Sequence, residues 1–325
     1  MNYFYSLAQE ISRGHSLTKA ELNHLLDLPY TKVRELFSGA DMLRENFSGN
    51  RVSLCSISNA KSGKCSEDCS FCAQSVHHGR DVQEYPLKKS MELADQGKTI
   101  AGTGSGIKRY SMVTSGRGLV SEELELIASA VRELDAAGVK TCASLGILNS
   151  KDFELLKGSG LKRYHHNLET APGFFPQVCT THDFNQRVET VVKAKKAGLS
   201  VCSGGVFGLG ETDAQVVELA LLLKELDVDA VPVNFLIPIP GTPLENMPRL
   251  TPLRCLKIIC LLRFILADKE IIICGGRVQN LRELHPLVFM AGASGIMTGN
   301  YLTREGRLVD EDLRLIKDLG LEPDF

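Results

Sequence analysis

No apolar run in these 325 residues approaches the ~20 that a membrane-spanning helix needs, so a bilayer partner is not expected. An excess of one charge is missing too. Thirty-seven Lys and Arg face 39 Asp and Glu, a net of −2, and nucleic-acid binding usually needs a basic face. There is no low-complexity stretch and no linker rich in Pro or Ser, which argues against tethered domains. The opening MNYFYSLAQEISRGHS places polar and charged residues where a signal peptide would carry its apolar region, so a cytoplasmic location is the expectation. Tryptophan is absent, which excludes nothing by itself.

Cysteine, by contrast, is plentiful. Ten of them in a chain that is neither short nor secreted point to metal binding or catalysis rather than disulfides.

Residues 1–48 read as a helical extension. Thr18-Lys-Ala-Glu21 fits a capping box, and Thr31 opens another short amphipathic segment. From 49 to 325, strand-like runs alternate with helical ones. The expected strands are Val52–Ile57, Arg109–Val113, Lys140–Ser144, Arg163–Asn167, Ser200–Gly204, Ala230–Asn234, Ile271–Cys274 and Gly295–Thr298. Gly138, Gly160 and Gly198 stand where helices should stop before the next strand. Eight alternations over this length fit an α/β chain folded as a (βα)8 TIM-type barrel, with an open doubly wound sheet as the rival.

The strongest motif is Cys65-Ser-Glu-Asp-Cys69-Ser-Phe-Cys72, on the loop after the first strand. Three thiolates at this spacing can hold three irons of a [4Fe-4S] cube and leave the fourth open to S-adenosyl-L-methionine. A zinc site is the bland alternative, with His77 and His78 nearby, but no matched second pair of ligands follows. A ferredoxin-like carrier would add a fourth neighbouring cysteine.

The stretch Asn59 to Ser75, which contains this motif, resembles the biotin synthase family of radical S-adenosylmethionine enzymes. The resemblance continues in order through Tyr164–Thr170, Val201–Thr212, Val231–Leu236, Gly241–Leu244, Gly275–Arg277 and Met290–Ala293. It implies a sulfurtransferase that converts dethiobiotin to biotin. A 5′-deoxyadenosyl radical would abstract hydrogen, and an auxiliary iron–sulfur cluster would supply sulfur. It further implies a flavodoxin or ferredoxin reductant and a homodimer.

Carried over residue by residue, the resemblance makes Cys65, Cys69 and Cys72 ligands of the radical cluster. Asn167 and Glu169 match residues that contact nucleoside hydroxyls and substrate, and Arg187 one near the S-adenosylmethionine carboxylate. Phe71, Gly204 and Ile237 fall beside the cofactor, Gly204 within the Gly204-x-Val206-x-Gly208-x-x-Glu211 motif that passes the adenine. Asn234 matches an asparagine on the substrate's ureido ring. Cys142, Cys202 and Arg277 match three ligands of an auxiliary [2Fe-2S] cluster, but Ser111 stands where the fourth, a cysteine, is expected.

Two cysteines could compensate. Residues three apart on a regular strand face opposite ways, so an inward Arg277 would turn Cys274 outward unless the Gly275-Gly276 pair makes a bulge. That favours Cys55, with Cys142 and Cys202, in a cluster of altered ligand set, [2Fe-2S] or a 4Fe-type variant. Cys179, Cys255 and Cys260 read as packing residues, and one of His165 and His166 is expected to face the site. The rival functions are a related barrel enzyme, of the hydrogenase-cofactor maturase or amino-acid mutase type, and a non-catalytic iron–sulfur sensor.

Overall fold

A computed structural model describes residues 2–78, 82–102, 106–302 and 306–324. Helices α1 (Tyr3–Ser12), α2 (Lys19–Asp27) and α3 (Arg34–Ser48) form the N-terminal extension. The capping box at the start of α2 is present: Thr18 Oγ1 accepts from Glu21 N at 3.3 Å, and Glu21 Oε2 accepts from Thr18 N at 2.7 Å. α3 begins three residues later than Thr31, because a 3-10 turn over Tyr30–Lys32 follows Pro29.

Then come β1 (Arg51–Lys61), α4 (Ser90–Gly102), β2 (Ile107–Thr114), α5 (Ser121–Ala136), β3 (Thr141–Ser144), α6 (Ser150–Gly158) and β4 (Arg163–His165). They are followed by α7 (Phe184–Lys196), β5 (Ser200–Cys202), β6 (Gly205–Phe207), α8 (Asp213–Glu225), β7 (Ala230–Phe235), α9 (Pro252–Ile265) and β8 (Glu270–Ile273). The last elements are α10 (Arg277–Leu281), β9 (Gly295–Met297), α11 (Val309–Asp318) and β10 (Glu322–Asp324).

Every pairing between these strands is parallel. β5 and β6 are successive halves of one stave, since both pair with β7. The ring shuts where β9 lies beside β1, with Ser53 opposite Gly295 and Cys55 opposite Met297. That closure excludes the open sheet and makes the fold a (βα)8 barrel. β10 pairs with Arg51–Ser53, below the point where β2 joins β1 at Leu54. Each of the eight expected strands is found, and Gly138, Gly160 and Gly198 do stop helices, at φ of 77°, 104° and 76°.

The extension shares one apolar core with the barrel: Phe4, Leu36 and Leu43 belong to the same buried cluster as α9. Phe4 meets Phe264 of α9 edge-on at 6.3 Å. Covered by α3 outside and the barrel inside, α9 is buried on all sides from Cys255 to Ile265. Cys255 and Cys260 therefore serve as packing residues, as expected. No helix among the described residues is long and apolar enough to cross a membrane.

Candidate active site

Alternate residues of a barrel strand face inward, and here they enclose a cavity of about 400 Å³. Near the N-terminal ends of the strands its lining is charged, with Arg109 on β2 and Arg163 on β4, and Glu270 of β8 lies against both guanidinium groups. Arg163 Nη1 donates to Glu270 Oε2 at 2.6 Å, and its Nε donates to Ser200 Oγ at 3.0 Å. Burial pushes the Glu270 carboxyl up, but Arg163 and Arg109 outweigh it and hold that group below the usual range. The motif reading did not single out these three residues. Strand alternation contains the signal, since Arg163 shares a face with His165 and Asn167, and Glu270 with Ile272 and Cys274.

Four cysteines from four strands line the same cavity: Cys55 (β1), Cys142 (β3), Cys202 (β5) and Cys274, just past β8. Ser111 lines it too. All ten cysteines of the chain are free. Burial pushes the thiol of Cys55 up to about 12 and raises those of Cys142, Cys202 and Cys274. They stay protonated until something cationic replaces the proton, as iron does. The donor set fits an iron–sulfur cluster.

Here one expectation is reversed. Arg277 does not reach the cavity, and Cys274 does. The strand ends at Ile273, and Gly276 takes the left-handed conformation (φ 74°, ψ 0°) that starts α10 at Arg277. The alternation that set Cys274 against Arg277 therefore stops before it reaches the arginine. Arg277 is fully buried outside the barrel interior, where its Nη1 meets His285 Nε2 at 2.6 Å and its Nη2 pairs with Asp312 and with Met297 O. Ile272 faces the cavity from β8.

Above this cavity the loop after β1 brings Cys65, Cys69 and Cys72 to the edge of a smaller depression. Gln74 shapes the loop: its Oε1 accepts from Gly63 N at 3.0 Å and Ser62 Oγ at 3.2 Å, while its carbonyl accepts from Cys65 N at 3.0 Å. A hydrogen bond to Cys179 and burial raise the Cys69 thiol, and burial pushes Cys72 up to about 11. His77 is occupied elsewhere, with Nε2 3.0 Å from Ser66 O. Three thiols with open space beside them suit a cluster held by three cysteines.

Behind the loop lies a group that sequence reasoning missed. Cys179, expected to be a packing residue, has its Sγ 3.1 Å from Asp68 Oδ1 and 3.3 Å from His182 Nδ1. His182 Nδ1 is 2.5 Å from Glu67 Oε2. Glu67 and Asp68 sit inside the cysteine motif, so the spacer residues Ser66–Asp68 include two carboxylates that anchor the loop to the Cys179–His182 segment.

Asn167, Glu169 and Phe71 line both hollows, and Arg187 lines the upper one. Glu169 sits at φ 71°, an uncommon setting for a side-chain-bearing residue. Burial raises its carboxyl, while its Oε1 lies 3.4 Å from Arg187 Nη1. His165 lines both hollows as well, and His166 borders only the upper one. Ile237 and Asn234 line the lower cavity. Asn234 Oδ1 accepts from Gly275 N at 3.0 Å and its Nδ2 donates to Gly205 O at 3.2 Å, so the amide is held in one orientation. Gly204, expected beside the cofactor, lines neither hollow. Its N donates to Asn167 Oδ1 at 3.3 Å, and a Cβ there would come 2.1 Å from Pro232 O. It is glycine because β7 packs against it.

Residues 60–223 match the model of the Radical SAM superfamily, and residues 232–322 match that of the Biotin and Thiamin Synthesis associated domain. The biotin synthase of Desulfatibacillum aliphaticivorans is 53% identical over 315 residues, 97% of this chain and 95% of that protein. That of Trichlorobacter lovleyi is 54% identical over 318 residues, with the same coverage of both chains. Among solved structures, a methylornithine synthase superposes at a TM-score of 0.84 and 23% identity, covering 98% of this chain and 97% of that one. An FeFe-hydrogenase maturase from Carboxydothermus hydrogenoformans does so at 0.79 and 21%, covering 98% and 78%. These two likenesses establish the fold alone. With two near-full-length relatives above half identity and a cysteine loop at the mouth of its barrel, the chain belongs to the biotin synthase family of radical S-adenosylmethionine enzymes.

Proposed function

We propose that this chain inserts sulfur into dethiobiotin to give biotin. The observation that carries the reading is the stacking of two thiol-lined sites, three cysteines at the mouth and four in the cavity beneath. When bound, the [4Fe-4S] cluster with S-adenosyl-L-methionine supplies the hydrogen-abstracting radical, and the auxiliary iron–sulfur cluster supplies the sulfur.

The chain's own residues bind, orient and exclude water. Cys65, Cys69 and Cys72 hold the radical cluster. Arg187 meets the carboxylate of S-adenosylmethionine, Asn167 and Glu169 meet nucleoside hydroxyls, and Phe71 and Ile237 flank the adenine. Asn234, its amide already fixed by two backbone bonds, turns toward the substrate's ureido ring. Cys55, Cys142, Cys202 and Cys274 hold the auxiliary cluster, with Cys274 in the place given earlier to Arg277. Four soft donors suit a 4Fe-type cluster better than a serine or an arginine would.

Residues 49–325 form the catalytic unit in this reading, with 1–48 as a brace packed on α9. A cytoplasmic location completes it, together with a flavodoxin or ferredoxin donor and a homodimer, the last two resting on family resemblance. Anaerobic reconstitution with dethiobiotin, S-adenosylmethionine and a reductant should yield biotin and 5′-deoxyadenosine. Deoxyadenosine formed without biotin would replace sulfur insertion by another radical reaction.

A further inference from the structure

Arg109 enters the cavity from β2, in register with Cys55 of β1. Its neighbour Arg163 is satisfied by Glu270 and Ser200. Arg109 is not. Its Nη1 lies 3.9 Å from Glu270 Oε1, beyond hydrogen-bond reach, is shut off from solvent and has no acceptor among the described residues. Leaving such a donor buried and unmet is unfavourable, so native structures rarely do it. Two guanidinium groups against one carboxylate also leave a net positive charge at this end of the cavity.

The missing acceptor is therefore an anion that the chain does not provide. Its surroundings narrow the choice. Cys55, Cys142, Cys202, Ile272 and Met297 make the neighbourhood soft and weakly polar. A large polarisable anion loses less by leaving water for such a place than an oxyanion does.

We propose that Arg109 Nη1 is the docking donor for an inorganic sulfur anion, either a sulfide of the auxiliary cluster or hydrosulfide arriving to replace one consumed. The proposal deepens the sulfur-insertion reading and rests on it. Arg109 then does two things. It stabilises sulfur that no thiol of the chain can hydrogen-bond as strongly, and it draws the replacement atom to the end of the cavity where it is needed.

The test compares wild type with Arg109→Met and Arg109→Lys. All three carry Cys65→Ala, Cys69→Ala and Cys72→Ala, so that only the cavity takes up iron. If the source is cluster sulfide, reconstituted Arg109→Met keeps its iron but loses acid-labile sulfide, its reduced electron paramagnetic resonance signal shifts, and Arg109→Lys recovers part of both. If the source is free hydrosulfide, the iron-free Arg109→Met chain binds 35S-labelled hydrosulfide about tenfold more weakly or worse in equilibrium dialysis, as loss of a charge-assisted bond requires. Either outcome supports the proposal. Unchanged sulfide in both arms overturns it. So does a higher KM for dethiobiotin with both arms unchanged, measured in a background that retains the loop cysteines, since that assigns Arg109 to the substrate's carboxylate. Thermal melts separate these results from misfolding, because removing an unpaired buried donor should not lower Tm; if Met misfolds, Arg109→Gln replaces it. Failure of the sulfur-insertion reading is distinct: the chain with its loop cysteines and Arg109 intact would make no biotin while still binding labelled hydrosulfide.

Discussion

Arg187 Nε donates to His182 Nε2 at 2.9 Å, and that bond decides the tautomer of the imidazole. Arginine has only N–H groups to offer. Nε2 must therefore accept, Nδ1 carries the proton, and it donates to Glu67 Oε2 at 2.5 Å. A continuous line of hydrogen bonds runs from the cysteine loop through His182 to Arg187, whose Nη1 donates to Asn167 O at 2.9 Å. His182 is a positioning residue. His182→Phe should keep the radical cluster's iron but weaken S-adenosylmethionine binding about tenfold, the worth of one charged hydrogen bond. His182→Gln, which can accept from Arg187 and donate to Glu67, should recover most of it. Titration of S-adenosylmethionine against the reduced cluster's paramagnetic spectrum reads both.

The same line carries a pH dependence. Burial pushes the Glu67 carboxyl up, but hydrogen bonds from Thr181, His182 and Ser66 outweigh it and hold that group below the ordinary range. A carboxyl lowered in the folded chain contributes stability above its unfolded pKa, and the contribution is lost as pH falls through the lowered folded value. Wild type should therefore lose more Tm than Glu67→Gln on acidification from neutral pH. Parallel curves would remove Glu67 from the account.

Cys274→Ala and Cys55→Ala should each strip iron from the auxiliary site, whereas Cys260→Ala, buried in α9, should leave it intact. Iron and sulfide analysis of anaerobic samples decides this. A Cys274→Ala chain with a full auxiliary cluster would send the fourth ligand back to Ser111.

Arg277 and Asp312 are both fully buried and paired. Breaking a buried pair costs about 3–5 kcal/mol when the remaining charge has no other partner, and here Arg307 Nε, 3.3 Å from Asp312 Oδ1, offsets part of that. Arg277→Met should lower the unfolding free energy from chemical denaturation by up to that much while iron per folded chain stays at the wild-type level. Loss of auxiliary iron from folded protein would restore the arginine to the ligand set.

A Cβ on Gly276 would come 1.9 Å from Phe235 O, and the left-handed setting alone disfavours a side chain by about 1–2 kcal/mol. Gly276→Ala should cost more than that in chemical denaturation, because the backbone must also move. It should disturb Asn234 as well, which holds the preceding Gly275 N.

Much of this was legible before the fold was known. Thr18 and Glu21 declare a helix start through local chemistry, and Gly138, Gly160 and Gly198 declare three helix ends. The eight strands follow from apolar runs between them, and the Cys65–Cys72 motif places itself on the loop after the first. What misled was Gly275-Gly276. Two glycines after a strand do not say whether the strand runs on, bulges or stops, and the inward or outward sense of Cys274 depended on which. The orphaned donor of Arg109 was illegible for a different reason: an unmet hydrogen bond is a property of what surrounds a residue in space. His182 was hidden likewise, since Glu67 lies far away in the sequence.

The closure of β9 on β1 has a bearing on how the protein acquires its iron. The cysteines of the loop lie within eight consecutive residues, so that site needs little more than one turn of local chain to form. Cys55, Cys142, Cys202 and Cys274 meet only after the strands that carry them are arranged in a ring, a contact between distant parts of the chain that forms slowly. On a ribosome the early motif could capture metal while the later one is still four scattered thiols. Maturation would then run from the mouth inward, with the sulfur-donating centre filled last.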